Sequence, residues 1–206
     1  MENLLIREER KEDHFNVEKM VRESFWNVYR PGCLEHYLLN QLRGDKDFVK
    51  ELDLVIELDG DIIGQVAYVK SHIQLDDGKE LPTLTIGPIC IDPRYQKKGY
   101  GKILLDYSLN KAKELGYGAV FLEGNIDFYK NSSFSYAHNY GIRYHGLSID
   151  EDTSFFLCNE LKKGYLSGAL GEYIIPQGYF IDENKVDEFD KKFPKKRKEK
   201  LESQIF

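Results

Sequence analysis

The stretch that decides the fold is Ile86-Gly87-Pro88-Ile89-Cys90-Ile91-Asp92-Pro93-Arg94-Tyr95-Gln96-Lys97-Lys98-Gly99-Tyr100-Gly101. Its apolar first half predicts a strand ending at Asp92, and the following segment predicts a helix because Leu105, Leu109 and Ala112 share one face. A helix N-terminus offers backbone N–H groups without intrahelical partners and partial positive charge. Glycines in the loop let a ligand approach the main chain, so a phosphate or pyrophosphate suits this site.

Two common phosphate-binding loops do not fit this stretch. The dinucleotide fingerprint requires a third glycine where Leu104 stands, and the nucleotide-triphosphate loop requires Ser or Thr where Ile103 stands. The remaining pattern, Gln-x-x-Gly-x-Gly directly after a strand, spans Gln96 to Gly101 and resembles the acetyl-CoA loop of the GNAT superfamily of N-acetyltransferases. A tight turn that binds no ligand is the alternative interpretation.

The resemblance implies that acetyl-CoA lies along the end of the strand and over the loop. A backbone N–H near Ile91 would polarise the thioester carbonyl, as an oxyanion hole does. The residues implied to bind the cofactor are Ile89, Cys90, Ile91, Gln96, Lys97, Lys98, Gly99, Tyr100, Gly101, Lys102 and, further along the chain, Asn125.

A second motif, Tyr129 to Phe134, resembles the Tyr-x-x-x-Gly-Phe element of the same superfamily, with Ser133 in place of the glycine. This substitution argues against the turn that the glycine would make in the motif, because serine is disfavoured at positive φ. The resemblance implies that Tyr129 is the general acid that gives the departing CoA thiolate a proton or a strong hydrogen bond. A role as an aromatic core residue is the alternative. Asn125 is expected to cap the segment or to contact the pantetheine.

The group that accepts the proton of the attacking amine is left open. An amine with a pKa of ~10.4 must lose a proton at neutral pH. Enzymes of the resembled family often carry a glutamate on or near the strand before the loop, but residues 82–91 contain no carboxylate. Glu80, His72 and Glu123 are candidates elsewhere, and a chain of waters to bulk solvent is equally compatible.

The predicted fold class is α/β (α+β), a GNAT-like mixed, mostly antiparallel central sheet with splayed parallel strands and flanking helices. Asp59-Gly60 predicts a hairpin. The helix after the loop makes the strands on either side of it parallel, and the resemblance implies that these two splay apart around the cofactor. The predicted strands are 3–8, 52–58, 62–73, 81–91 and 119–122, and the predicted helices are 12–26, 33–43 and 102–116.

Three regions are predicted: an acetyltransferase core (1–148), a C-terminal extension packed on its acceptor side (149–190) and a basic tail (191–206). Two strands, 155–158 and 171–175, are expected in the extension, and its aromatic residues favour packing on the core. Residues 191–200 carry seven basic side chains and predict a solvated helix or a frayed tail. A surface charge run is favoured there over a site for an anion.

Composition narrows the function classes. The net charge of −6 argues against nucleic acid as the main partner; it suits a cationic substrate or simply a solvated acidic surface. We see no signal peptide and no stretch near the ~18 apolar residues of a membrane span. Cys33, Cys90 and Cys158 fit buried free thiols of a cytoplasmic protein, and the histidines show no metal-ligand spacing.

We therefore expect a cytoplasmic N-acetyltransferase that acetylates a primary amine, of a small molecule or a protein, from acetyl-CoA. The amine attacks directly in a ternary complex, so no acyl-enzyme forms on Cys90. Neither a metal, a nucleic acid nor a membrane is expected as a partner, and exposed sheet edges are compatible with a homodimer. The alternative is a non-catalytic acyl-CoA-binding module with a regulatory or interaction role.

Overall fold

The computed structural model describes residues 3–148 and 150–204. Predictions that fall on Ile149 and on the last two residues of the tail lie outside these ranges. The elements within them are the strands β1 (Leu4–Glu8), β2 (Leu54–Leu58), β3 (Asp61–Leu75), β4 (Glu80–Ile91), β5 (Ala119–Glu123), β6 (Ser135–Tyr136), β7 (Ile142–Tyr144), β8 (Phe156–Glu160) and β9 (Gly171–Ile174), and the helices α1 (His14–Phe25), α2 (Glu35–Leu42), α3 (Tyr100–Glu114), α4 (Ile126–Tyr129) and α5 (Glu183–Asp190).

The strands form one mixed sheet in the order β1-β2-β3-β4-β5-β8-β6, and β9 pairs with both β3 and β7. The pairs β4–β5 and β7–β9 are parallel. The remaining pairs between these described strands are antiparallel. The predicted fold class is confirmed, including the parallel strands on either side of the crossover helix.

Strands β4 and β5 separate soon after they meet. They pair only where Leu84 faces Val120 and Thr85 faces Phe121. Beyond that point β4 bulges, because Val66 faces Ile89 and Tyr68 faces Ile86, so that a single β3 residue lies opposite two of β4. The part of β4 from residue 86 to residue 91 thus has β3 on one side and no paired strand on the other, within the described residues. This opening is called the β4–β5 gap below.

The helices cover opposite faces of the sheet, because successive strand residues point to opposite sides. Helix α3 buries Leu105 and Leu109 against Leu54 and Ile56. Helices α1 and α2 pack on the other face, which Val55 shares with Ala67 and Cys90. The gap therefore opens towards α3 on one face and towards α1 and α2 on the other.

Several predicted boundaries shift by one or two residues. The segment before α1 is a 3-10 turn (Lys11–Asp13), and α2 begins at Glu35, two residues later than expected. Helix α3 begins at Tyr100, two residues earlier than expected, because Gly99 adopts a left-handed conformation and the chain turns into the helix directly after it. The earlier start of α3 places Tyr100 and Gly101, which were predicted as loop residues, in the first turn of the helix.

The chain beyond residue 150 contributes to the same sheet. Strand β8 lies beside β5, and β9 lies beside β3. The two strands expected in the predicted extension are thus present, while the division of the chain into core, extension and tail stays a prediction.

The prediction of a solvated helix or a frayed tail at residues 191–200 is wrong. They form no helix, and they do not fray from the body. Phe193 is buried and stacks on Phe15 at 5.3 Å, and Trp26 Nε1 donates to the carbonyl of Arg197 at 2.9 Å. The lysines next to Phe193 in the chain stay exposed while its ring is buried, so the segment is held against α1 and its charges remain solvated.

Candidate active site

The loop between β4 and α3 has a backbone suited to anion binding. Gly99 has φ 91°, which favours glycine, and a side chain at this position would point into open space. Gln96 Nε2 donates to the carbonyl of Ile91 at 3.0 Å and so ties the loop to the end of β4. The first backbone bond from the helix into the loop joins the N–H of Ile103 to Gly99. Helix geometry gives the amides of Gly101 and Lys102 no intrahelical acceptor, so these amides can serve a ligand.

Three lysines surround this helix end, and all three are exposed. Lys102 is paired with Asp106 on the next turn of α3. The ammonium group of Lys98 lies 5.2 Å from the ring centroid of Tyr95. Lys97 is itself left-handed, with φ 60°, which turns the chain back towards the helix. The combination of cationic side chains, unused amides and helix dipole fits a pyrophosphate.

The gap-facing edge of β4 carries Ile89, Cys90 and Ile91. Their other edge is occupied by β3, where Ile91 faces Gly64. Burial raises the pKa of the Cys90 thiol to about 12, so a thiolate is scarcely populated at neutral pH and Cys90 is a poor nucleophile.

Tyr129 lies at the end of α4, directly after β5. The side chain of Asn125 caps this helix by accepting from the N–H of Asp127 at 2.9 Å. A Cβ at Gly124 would lie 2.6 Å from Cε2 of Tyr129, so the glycine makes room for the ring. Burial, followed by the influence of Tyr29, raises the pKa of Tyr129 to about 12. The hydroxyl is therefore protonated, as a hydrogen-bond donor must be.

The tyrosines that interact electrostatically with Tyr129 come from both faces of the sheet. Tyr68 is part of the core under α3, and its pKa is raised by burial and in part by Tyr129. Tyr29 follows α1 on the other face. Tyr129 itself packs against the core under α3, with its ring centroid 5.7 Å from that of Phe134.

Ser133 keeps the turn of the second motif although it is not glycine. It has φ 65° and ψ 24°, the left-handed conformation that glycine would take without strain. The neighbouring carbonyl of Ser132 accepts from Asn159 Nδ2 at 2.7 Å, and the Ser132 hydroxyl donates to Asp106 at 2.6 Å. These bonds hold a conformation that costs roughly 1–2 kcal/mol in a non-glycine residue.

Sequence reasoning missed a group of tyrosines from the C-terminal half that reaches the gap on the face opposite α3. The hydroxyls of Tyr173 and Thr85 are hydrogen-bonded at 2.7 Å, and Tyr179 donates to the carbonyl of Ile86 at 2.7 Å. Tyr144 donates to Glu123 Oε1 at 2.6 Å. The aromatic content of this half signalled packing on the core, but no local pattern could assign these partners.

The structure separates the candidate proton acceptors. His72 faces Pro82 in the β3–β4 ladder, and residues 82 to 89 span about 23 Å at 3.3 Å per residue, so His72 and Glu80 lie towards the far end of β4. Glu123, at the end of β5, lies beside the gap.

Glu35, at the start of α2, is a further candidate that the sequence did not reveal. It lines a cavity of about 220 Å³ with Tyr29, Arg30 and Leu34. Burial raises the pKa of its carboxyl.

Comparison with known proteins places the chain in a family. The family model described as acetyltransferase (GNAT) family matches residues 18–134, more than half of the chain. The chain belongs to this family. The resemblance inferred from the two motifs is confirmed, and with it the enzyme class, an acetyl-CoA-dependent N-acetyltransferase.

Individual GNAT relatives span most of the chain. YhbS of Escherichia coli K12, an uncharacterized N-acetyltransferase, is 26% identical over 168 residues, which cover 82% of this chain and 93% of YhbS. The crystal structure of E. coli YhbS in complex with CoA aligns with a TM-score of 0.74 at 25% identity, over 87% of this chain and 93% of that one. A GNAT acetyltransferase from Brucella melitensis in complex with acetyl-CoA shares the fold, with a TM-score of 0.68 at 21% identity, over 86% and 99% of the two chains.

Membrane-spanning helices and metal clusters are absent from residues 3–148 and 150–204. No helix there is long and apolar enough to cross a membrane. No group of three or more His, Cys, Asp or Glu residues in the same ranges is placed to hold a metal ion.

Proposed function

We propose that the protein transfers the acetyl group of acetyl-CoA to a primary amine, of a small molecule or a protein, by direct attack in a ternary complex. The observation that carries this proposal is the β4–β5 gap, which has the N-terminus of α3 at its end and Tyr129 beside it. Relatives in complex with CoA and acetyl-CoA support the choice of donor.

In this proposal the pyrophosphate of the donor lies on the amides at the start of α3, close to Lys97, Lys98 and Lys102. The pantetheine enters the gap and takes the place of a strand beside residues 89–91, where extended amides can pair with β4. Asn125 shapes the other wall by capping α4. The side-chain amide of Gln96 donates to the carbonyl of Ile91, so Gln96 acts by holding the loop against the end of β4.

The chemical step forms a C–N bond and breaks the C–S bond of the thioester. The amine gives up one proton before attack and a second as the tetrahedral intermediate collapses, and CoA leaves as a thiolate. A backbone N–H on the gap-facing edge of β4 would stabilise the oxyanion, since its position is fixed before the reaction.

Tyr129 would stabilise the leaving sulfur by a hydrogen bond. With the pKa of the tyrosine at about 12 and that of a free thiol near ~8.5, complete proton transfer to the thiolate is uphill by roughly 5 kcal/mol. A short hydrogen bond in the transition state needs no such transfer, and the amine's own protons neutralise the products. Attack through Cys90 is disfavoured, because its thiol is buried and protonated.

The test of donor binding is a calorimetric titration with acetyl-CoA of the wild type and of Gly99→Glu and Gly101→Glu. Gly78→Glu is the matched control, because Gly78 also has a positive φ, and a side chain there would point into open space in the β3–β4 turn. We expect micromolar binding that is lost in the two loop variants and retained in the control. Equal binding by all four proteins would refute the proposal that the loop binds acetyl-CoA.

The test of catalysis is Tyr129→Phe with any accepted amine. Turnover that falls while acetyl-CoA affinity is unchanged supports an enzyme with Tyr129 at the sulfur. Absence of turnover in the wild type across amines, despite donor binding, would favour the non-catalytic module.

A further inference from the structure

Glu123 lies beside the β4–β5 gap and, within the described ranges, has one carboxylate oxygen that is hydrogen-bonded and one that is not. The side chain is exposed, and its Oε1 accepts a hydrogen bond from Tyr144 at 2.6 Å. Among the residues that the structure describes, its Oε2 accepts no hydrogen bond and neither oxygen joins an ion pair. One oxygen is thus held in place while the other is available.

Acidic residues around the same strands differ from Glu123 in this respect. Asp76 is paired with Arg143 at 2.6 Å, and Glu172 is paired with His145 at 2.6 Å. Arg143 and His145 flank Tyr144 in the chain, and each is paired with a carboxylate other than Glu123. The basic side chains nearest in sequence to Tyr144 are therefore already engaged, and the charge of Glu123 is left for a ligand.

The position of Glu123 places it on the acceptor's side of the gap. Val120 and Leu122 of β5 point into the core under α3, so Phe121 and Glu123 point to the opposite face. Tyr179 donates to the carbonyl of Ile86 on that face, and its pKa is raised by burial, with Glu123 and Tyr144 contributing. Glu123, Tyr144 and Tyr179 thus lie together where β4 leaves β5, away from the helix end that receives the donor's phosphates.

We propose that Glu123 binds a second positive charge of the acceptor, so that the preferred acceptor is a primary amine that also carries another ammonium or guanidinium group. The inference rests on the proposed acetyltransferase function and names its substrate class. The hydrogen bond from Tyr144 fixes the direction in which the carboxylate points. The aromatic ring of Tyr144, next to the carboxylate, adds a face that attracts a cation. Tyr144 is accordingly a positioning residue.

The experiment compares α,ω-diamines of three to six carbons with amino alcohols of the same length, which keep the reacting amine and replace the second charge by a hydroxyl. Release of the CoA thiol is followed for the wild type, Glu123→Gln, Glu123→Lys and Tyr144→Phe. Glu114→Gln is the control, since Glu114 is an exposed glutamate at the far end of α3, about 20 Å from the loop.

We expect the wild type to prefer the diamine of best length on the order of tenfold in kcat/KM, mainly through KM. Glu123→Gln should abolish this preference, with the amino alcohol changed less than about twofold. Glu123→Lys should make the diamine the poorer acceptor, Tyr144→Phe should reduce the preference in part, and Glu114→Gln should leave it intact.

Two results would overturn the inference while the acetyltransferase function stands: no diamine preference in the wild type, or an equal loss for diamine and amino alcohol in Glu123→Gln. If no amine is acetylated, the proposed function fails, and Glu123 is tested by calorimetric titration of the CoA-loaded protein with the diamines. Diamine binding that Glu123→Gln removes would then support the charge site, and absence of binding would overturn it as well.

Discussion

Replacing Glu9 by Gln should make the free energy of unfolding less sensitive to rising pH. Glu9 is 8% exposed, and its Oε1 accepts from Arg43 at 2.6 Å. The same guanidinium also pairs with Glu18 at 2.6 Å, and Asp53 lies beside it. Three carboxylates thus share one buried cation where α1 and α2 meet β1 and β2.

One shared proton explains the geometry of this cluster. Within the described parts of the chain, Glu9 Oε2 and Asp53 Oδ1 are buried and have no hydrogen-bond partner; a proton on Glu9 would let the first oxygen donate to the second. Burial, followed by the charge of Asp53, raises the pKa of Glu9 to about 8. Burial also raises the pKa of Asp53.

The sign of the effect follows from proton linkage. An unfolded glutamate titrates near pH 4.5, so between pH 4.5 and about 8 the folded protein holds a proton that the unfolded chain has lost. Stability then falls as pH rises, by about 1.4 kcal/mol per pH unit for one linked proton. Glutamine cannot ionise, and its amide can donate to Asp53 while its oxygen accepts from Arg43. Glu9→Gln should therefore be of similar stability to the wild type at pH 5 and more stable by about 3 kcal/mol at pH 8.

The assay is urea unfolding at pH 5, 6, 7 and 8, with the free energy of unfolding compared between wild type and variant at each pH. Subtracting the two curves removes the contribution of groups that both proteins share. Glu51→Gln, at an exposed position close in sequence to Asp53, is the control and should follow the wild type. Parallel curves for wild type and Glu9→Gln would show that Glu9 is ionised in the folded protein and would refute the shared proton.

Four further outcomes follow from the site and the packing. Tyr129→Phe should lower kcat by about 10²-fold with acetyl-CoA affinity unchanged, measured by steady-state kinetics and calorimetry. Gly124→Ala should lower kcat by about tenfold, because its Cβ would lie 2.6 Å from the Tyr129 ring and displace it; unchanged kcat would contradict this. Cys90→Ala should retain turnover, and mass spectrometry of wild type mixed with acetyl-CoA alone should detect no acetyl group on Cys90. Phe193→Ala should reduce the free energy of unfolding by about 3 kcal/mol, against less than about 0.5 kcal/mol for the exposed Lys195→Ala.

Much of the half of the site proposed for the donor could be predicted from local sequence. The loop from Gln96 to Gly101 follows a strand and precedes a helix as expected, and Tyr129 follows β5 at the expected spacing. Such features depend on neighbours in the chain: glycine permits positive φ at 99, and apolar residues repeat on one face of α3. Ser133 shows the limit of this reasoning, since tertiary hydrogen bonds nearby hold a conformation that its own preference opposes.

The half of the site proposed for the acceptor could not be predicted, because its members come from distant strands. The pairing of β8 with β5 and of β9 with β3 depends on which of many apolar segments bury the most surface together, and periodicity alone does not rank them. The hydrogen bond from Tyr144 to Glu123 and the one from Tyr179 to Ile86 exist only once those strands are in place.

The sequence by itself therefore determined the order of elements up to β5, the glycine loop before α3 and the tyrosine after β5, because each is encoded within a few consecutive residues. Only the tertiary structure decided which carboxylate is left unpaired at the gap, which carboxylates share the buried guanidinium of Arg43, and how the basic C-terminal segment packs. Burial and ionisation depend on every group that the fold brings close, and those groups come from opposite ends of the chain, as the stacked rings of Phe15 and Phe193 show.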